Sequence, residues 1–356
     1  QAQTNRRYDV NLGMTAFELD FWGRVKNLDA AARANYLATA EAREAFRLNL
    51  IADVANAYYS LQEFDERRLI AQATLESRLD SRRLIGKRRE VGLAGDLEFL
   101  SADAAYESAR AELANLERNQ RLASNTLDLL VGTVPHDLLP SRRLIDQGEL
   151  PKLSTSVSSA VLLRRPDVRS AEQRLLAANA NIGAARAAFF PRIGLSLAFG
   201  TASRTLSGLF DAGTGAWSFA PSLVEPLFDS GRTQANVSLT EARKVIAVAE
   251  YEKTIQQAFR EVADALAARD QLGEQLSALN ATEKYQTERL KLVDTRYRAG
   301  VSSYLELLDA QRDAFTAQQS VIQVRSAMLT AAARLYKALG GDTPVAADEG
   351  GQKMAN

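Results

Sequence analysis

Two stretches of the chain are free of proline over lengths that few globular helices reach. Residues 24–85 contain neither proline nor glycine and are rich in Ala, Arg, Glu and Leu. Residues 232–299 contain one glycine, Gly273, and no proline. At 1.5 Å per residue, helices of these lengths would span roughly 90 and 100 Å. They predict a coiled coil, a helical repeat or a helical tube rather than ordinary core helices.

Each long segment runs into a glycine-containing break and then a second helical segment. The sequence therefore predicts two helical hairpins, 24–131 and 232–339. The second helices are expected at 96–131, after Gly86, Gly92 and Gly95, and at 301–339, after Gly300.

The turns of the two hairpins share one sequence pattern. Residues 88–104 read RREVGLAGDLEFLSADA, and residues 296–312 read RYRAGVSSYLELLDAQR. Arg, Gly, Leu, Glu, Leu and Ala recur in register at an offset of 208 positions, since 300 − 92 = 208. The match needs no gap over about 110 residues, which indicates an internal duplication.

The duplication sets the domain organisation that we expect. Pro166 and Asp167 also place proline and an acid in the first turn of a helix over 167–189. Stacked on the helix at 96–131, that helix would match the length of the first long helix. The expected divisions are a first repeat at 1–132, a connecting equatorial segment at 133–165, a second repeat at 166–341 and a flexible tail at 342–356.

Three segments alternate apolar residues with small or polar ones, as membrane strands do. They are 8–16, 192–200 and 216–228. A soluble sheet also alternates. These strands, however, have the length of a tilted membrane strand, and aromatic residues cluster at their ends as in outer-membrane barrels. The predicted aromatic girdle consists of Tyr8, Phe21, Trp22, Phe189, Phe190, Trp217 and Phe228. One face of the first strand is predicted to consist of Tyr8, Val10, Leu12, Met14 and Ala16.

Three strands are too few for a closed barrel, because small closed barrels need about eight. We therefore expect several chains to share one barrel, with closed ring symmetry as the economical arrangement. Residues 201–215, rich in Gly, Ser and Thr, would form an exposed loop between the second and third strands.

Composition excludes several function classes. The chain has 44 basic and 44 acidic residues, so its charge gives no reason to expect nucleic acid. It has no cysteine, and its one histidine, His136, has no second histidine with which to share a metal. We interpret His136 as a loop residue. No nucleophile–base pair, metal cluster or phosphate loop stands out, so we predict neither an enzyme nor a cofactor.

The chain resembles the TolC-like outer-membrane efflux proteins, and within them the OprM-type outer-membrane factors of resistance–nodulation–division pumps. The longest segment that carries the resemblance is LLRRPDVRSAEQRLLAANANIGAARAAFFPRIGLSLAFG at 162–200. Other segments match in order along the whole chain: FELDFWGR at 17–24, SGLFDAGTGAWSF at 207–219, FDSGR at 228–232, AFREVADALAARD at 258–270, YRAGVSSYLELLDAQR at 297–312 and LYKALGG at 335–341.

The resemblance implies a mainly α fold with membrane β-strands. Three chains would form a 12-stranded outer-membrane β-barrel above an α-barrel tunnel built from the duplicated hairpins. The implied partners are a periplasmic membrane-fusion adaptor, an inner-membrane resistance–nodulation–division pump and outer-membrane lipid. By the repeat arithmetic, roughly 60–100 further residues with a first Pro-Asp helix and a fourth strand would precede residue 1. Family members usually also carry a lipidated cysteine there, so we expect a lipid-anchored full-length protein in the Gram-negative outer membrane.

The resemblance also assigns a periplasmic gate to the second hairpin turn. Leu305, Asp309 and Arg312 lie at i, i+4 and i+7, on one helix face. Leu305 would form an apolar constriction and Asp309 a carboxylate ring, with Arg312 and Tyr297 latching neighbouring helices. In the first copy the two charged positions are Ser101 and Ala104. The shared turn, Gly92 to Leu97 and Gly300 to Leu305, would shape the groove that receives the adaptor.

Two alternatives remain at this level. A soluble periplasmic coiled-coil tether or adaptor also contains helical hairpins, although adaptors normally have one hairpin flanked by Gly-rich β domains. A type I secretion-like conduit of the same fold would export proteins instead of small amphiphiles.

Overall fold

The computed structural model describes residues 6–132, 143–147 and 159–341. His136 and the tail at 342–356 lie outside the described residues, as does most of the connecting segment. The described elements are β1 (Tyr8–Leu19), α1 (Arg24–Glu90), α2 (Asp96–Val131), α3 (Pro166–Ala187), β2 (Arg192–Ser203), β3 (Gly215–Val224), α4 (Arg232–Arg298) and α5 (Tyr304–Ala338), with short 3-10 turns at Leu144–Gln147 and Ser159–Arg164.

Both predicted long helices are confirmed, and α1 extends beyond the predicted residue 85 to Glu90. α1 and α4 each have 67 residues. Gly86 lies inside α1, so the prediction that the break begins at Gly86 was wrong, whereas Gly273 lies inside α4 as expected. A glycine costs only about 1 kcal/mol relative to alanine within a helix, which a helix packed along its length tolerates. At Gly86 a Cβ would lie 3.5 Å from the Phe99 ring, which is an ordinary van der Waals distance.

The chain divides into two compact units that each combine parts of both sequence repeats. The sheet unit comprises Gln1–Arg43 and Pro166–Gln256, and the tip unit comprises Glu44–Arg165 and Gln257–Asn356. The sheet unit holds the three strands, α3 and the first turns of α1 and α4. The tip unit holds α2, α5 and both hairpin turns.

The sheet is antiparallel with the strand order β1-β2-β3. Its cross-strand rows separate apolar from small residues: Leu12, Phe199 and Trp217 share one row, whereas Gly13, Ala198 and Ser218 share the next. β3 ends at Val224, earlier than the predicted 228. Pro226 follows two residues later, and proline has no N–H to donate to a sheet.

A β-bulge in β1 overturns part of the predicted strand face. The register with β2 shifts between Met14 and Phe17, and Ala16 adopts a φ of 56°. The Ala16 N–H is satisfied by the Ser196 hydroxyl at 3.1 Å. Because the bulge inserts one residue, Phe17 and not Ala16 continues the face of Met14. Strict alternation through residue 16 was therefore wrong.

The two hairpin ends of the tip unit share one hydrophobic core. Ile85 of α1, Ala102 of α2 and Val293 of α4 pack with Tyr304 and Leu307 of α5. The two copies of the duplicated turn are thus held together by contacts between them, in addition to the contacts within each hairpin.

Leu307→Ala should destabilise the tip unit by about 2–5 kcal/mol, because it leaves a cavity at a side chain that is 3% exposed. Hydrogen exchange of amides at the ends of α4 and α5 in the full-length protein measures this loss. Leu97→Ala, which truncates an exposed leucine of α2, is the matched control and should leave the exchange unchanged. Equal exchange in both variants would contradict the shared core.

Candidate functional site

Both long helices end in the same backbone motif at the hairpin turns. Gly92 and Gly300 each have a φ of 76°. The N–H of Gly300 donates to the Tyr297 carbonyl at 2.9 Å, and the N–H of Val301 donates to the Arg296 carbonyl at 2.9 Å. Gly92 and the residue after it make the matching pair of bonds. This is the Schellman arrangement, in which glycine supplies the left-handed residue that ends a helix.

The helices that follow the turns begin differently in the two copies. α5 is capped by Ser303, whose hydroxyl accepts a hydrogen bond from the Glu306 N–H at 3.2 Å. Gly95 stands at the corresponding cap of α2 and offers no side chain. In both copies the leucine of the first turn points outward, with Leu97 74% exposed and Leu305 54% exposed.

The three predicted gate residues of α5 lie together on its exposed face. The Arg312 guanidinium lies 3.2 Å from the Asp309 carboxylate and 3.9 Å from that of Asp313. Asp313 in turn pairs with Arg289 of α4 at 2.7 Å. The opposite face of α5 is buried in the shared core. Leu305, Asp309 and Arg312 are therefore free to meet another surface, and their ion pairs are weak because water reaches them.

Tyr297 has different neighbours from those that the sequence assigned to it. Its hydroxyl accepts a hydrogen bond from Arg88 at 3.2 Å and lies 3.4 Å from the Glu98 carboxylate. Its ring packs against Tyr304 at 6.0 Å. Burial, and then the negative charge of Glu98, raise the pKa of the Tyr297 hydroxyl above its ordinary value. Within one chain, Tyr297 thus joins the end of α4 to the first hairpin, and its latch to a neighbouring chain stays a prediction.

Sequence reasoning missed a buried arginine next to the gate face. Arg78 of α1 is 6% exposed and donates a hydrogen bond to the Gln311 side chain of α5. Burial lowers the pKa of its guanidinium, with the nearby Tyr304 acting in the opposite direction. Nothing in the sequence distinguishes Arg78 from the many solvated arginines of these helices. Glu98 did carry a signal, because its position recurs as Glu306 in the second copy.

The predicted girdle residues fall into two groups in the sheet unit. Near the start of β2, Trp22 stacks on Phe190 with centroids 4.6 Å apart, and its indole N–H donates to the Pro191 carbonyl at 3.0 Å. Phe21, Phe189 and Phe228 are exposed around them. Tyr8 pairs with Ser203 at the other end of the sheet, and Trp217 lies opposite Phe199.

None of the described helices is apolar enough over a sufficient length to cross a membrane. Among residues 6–132, 143–147 and 159–341, no three His, Cys, Asp or Glu side chains come together as a metal site would require.

Comparison with known proteins decides the family. The family model described as "Outer membrane efflux protein" matches residues 1–133 and 157–341. The chain belongs to the outer membrane efflux protein family. Members are transport conduits of the Gram-negative outer membrane rather than known enzymes. The chain is therefore an outer-membrane efflux channel protein with a TolC-like, mostly helical fold and a small sheet.

Individual relatives agree with this assignment. The chain is 47% identical over 342 residues to the toluene efflux pump outer membrane protein TtgF of Pseudomonas putida, covering 96% of this chain and 71% of TtgF. It is 46% identical over 338 residues to outer membrane protein OprJ of Pseudomonas aeruginosa, covering 94% and 70%. Its fold matches the open-state outer membrane channel MtrE of Neisseria gonorrhoeae with a TM-score of 0.85 at 40% identity, covering 94% and 76%.

Gly300→Ala should loosen the second hairpin turn by about 1 kcal/mol, because a side chain at positive φ is strained. Amide exchange at residues 300 and 301 in the full-length protein should accelerate about fivefold. Gly95→Ala is a matched control, since Gly95 has a φ of −86° and open space around it. Acceleration in the control but not at Gly300 would contradict the role of the left-handed turn.

Proposed function

We propose that this chain is one of three protomers of the exit channel of a tripartite efflux pump. In this proposal the channel is lipid-anchored in the outer membrane and closed at its periplasmic tip until an adaptor opens it. The observation that carries the proposal is the three-stranded sheet, which has one strongly apolar face, one face of small and polar residues and, among the described residues, two edges without a strand partner.

The apolar face fits a lipid environment. Leu12 is 85% exposed, Phe199 73% and Trp217 77%, and the three lie side by side across the strands. A soluble protein rarely leaves such a continuous apolar patch open to water. This face favours a membrane channel over the soluble tether, the second candidate from the sequence.

The sheet edges support an assembly of several chains. In the part of the chain that the structure describes, the outer edges of β1 and β3 have no strand partner. Unpaired backbone groups are too costly in a bilayer, so membrane sheets close into barrels. Four strands from each of three chains would give the 12-stranded barrel that the family resemblance implies, with the fourth strand preceding residue 1.

The exposed face of α5 supports a gate. In a threefold ring, Leu305 would narrow the opening, and the three Asp309 carboxylates would approach one another. Like charges repel at short range, so the ring depends on Arg312 to compensate them. A partner that draws Arg312 or Asp309 away would therefore favour the open ring.

The hairpin turns are the proposed adaptor contacts. Gly92, Leu97, Gly300 and Leu305 form two equivalent turns with outward leucines. The relatives are named as outer membrane proteins of efflux pumps, and such pumps require an adaptor and an inner-membrane pump as partners. A secretion conduit of the same fold would share these contacts and differ in its cargo.

Asp309→Ala combined with Arg312→Ala should raise the single-channel conductance of the full-length protein several-fold in a planar bilayer, because it removes the charged ring. Ser101→Ala is the matched control, since Ser101 occupies the position of Asp309 in the first hairpin. Unchanged conductance of the double variant in a trimeric preparation would contradict the gate.

Native mass spectrometry of the full-length protein in detergent should give the mass of three chains. A monomer that stays in solution without detergent would contradict the shared barrel and support the tether instead.

A further inference from the structure

A cavity in the sheet unit brings together arginines from four different elements. The cavity has a volume of about 490 Å³ and lies between the starts of α1 and β2 and the helices α3 and α4. Its main polar lining residues are Arg24, Arg174, Arg192, Arg243, Asn35 and Asn181. All of them belong to the sheet unit.

The cavity carries an excess of positive charge. Arg24 is neutralised by Glu18, with its Nε 2.7 Å from the carboxylate. No aspartate or glutamate lines the cavity. Within the described ranges of the chain, Arg174, Arg192 and Arg243 form no ion pair with a carboxylate, although Arg192 also interacts electrostatically with Glu18. Four guanidinium groups therefore share one carboxylate, that of Glu18, beside the same space.

Other arginines on the same helices do find acids, so the missing partners are a local feature. Arg186 of α3 pairs with Glu241 of α4 at 2.8 Å, and Arg169 of α3 pairs with Glu41 of α1 at 2.6 Å. Both pairs cross between helices. The contacts between helices in the sheet unit thus accommodate ion pairs, and in the cavity the arginines outnumber the carboxylates.

The lining suits an anion that also has an apolar body. Guanidinium groups bind carboxylate, sulfonate and phosphate oxygens through paired hydrogen bonds. Asn35 and Asn181 add amide groups that can donate. Leu28 and the alanines of α3 supply an apolar wall, and the volume is that of a pocket for a drug-sized molecule.

The cavity adjoins the polar side of the sheet. Glu18, Gly194 and Ser222 form one row of the face that holds small and polar residues. Arg192 is two residues from Gly194 and so lies on this face, and it also lines the cavity. In the proposed channel, this is the face toward the lumen.

We propose that this cavity binds the anionic head of an amphiphilic small molecule on its way through the channel. The location in the lumen rests on the proposed function, whereas the binding chemistry rests on the arginines alone. All the residues that line the cavity belong to one chain.

The test is calorimetric titration of naphthalene-2-sulfonate into the full-length protein in lipid nanodiscs. We expect saturable binding of one sulfonate per chain, and at least tenfold weaker binding of the neutral analogue 2-naphthol. Arg174→Gln combined with Arg243→Gln should lower the sulfonate affinity at least tenfold, because charge-assisted hydrogen bonds are lost. Arg174→Lys with Arg243→Lys, which keeps the charge and loses the forked geometry, should fall between the two.

Arg260→Gln is the matched control, because Arg260 is an exposed arginine of α4 that pairs with Asp264 along its own helix at 3.8 Å. It should bind the sulfonate as the unchanged protein does. The inference is overturned if the Gln double variant keeps full affinity while retaining the assembly state and conductance of the parent, if 2-naphthol binds equally well, or if no saturable binding occurs. A trimer that conducts but does not bind the sulfonate leaves the proposed function standing, whereas sulfonate binding by a non-conducting monomer contradicts only that function.

Discussion

The open edges of a three-stranded sheet are the constraint on which the rest of the molecule depends. Backbone N–H and C=O groups cannot remain unpaired in lipid, so the sheet of an outer-membrane protein has to be completed by further strands. The rows across β1, β2 and β3 are already sorted for such a barrel, with Leu12, Phe199 and Trp217 on one face and Gly13, Ala198 and Ser218 on the other. The ring assembly that we propose would complete this sheet, and the proposed passage would run along the axis of the ring.

The duplication has a different consequence at the hairpin ends. Equivalent turns at Gly92 and Gly300 bring equivalent helices to one place, where they bury a common core around Leu307. That shared core leaves each exposed face free to differ. The second copy carries Asp309 and Arg312, and the first carries Ser101 and Ala104 at the same positions. In the proposed channel, the second hairpin would close the ring, while the first hairpin has the same turn without the two charges.

Much of this fold could be predicted from the positions of proline and glycine, which mark the ends of helices. α2 spans the predicted 96–131, and α3 begins at Pro166. Features that depend on packing could not be read in the same way. Gly86 looks like a break but lies inside α1, and the bulge at Ala16 reverses a face without changing the residue pattern around it. The Arg78–Gln311 and Arg88–Tyr297 hydrogen bonds join residues 233 and 209 positions apart, so no local sequence pattern predicts them.

The effect of the charged residues depends on their repetition by the symmetry of the proposed assembly. Asp309 has a compensating arginine within its own chain, so the proposed ring of three such pairs would be close to neutral. Arg174 and Arg243 have no such compensation in the described chain, Arg192 shares Glu18 with Arg24, and the proposed ring would repeat this excess three times. An anion that binds between fixed cations lowers the repulsion among them. These arginines therefore favour a bound anion, whereas a single exposed arginine would simply be hydrated. The neutral overall composition therefore combines two different local arrangements. The Asp309–Arg312 pair is compensated within the chain, whereas the arginines of the cavity would favour an anionic ligand.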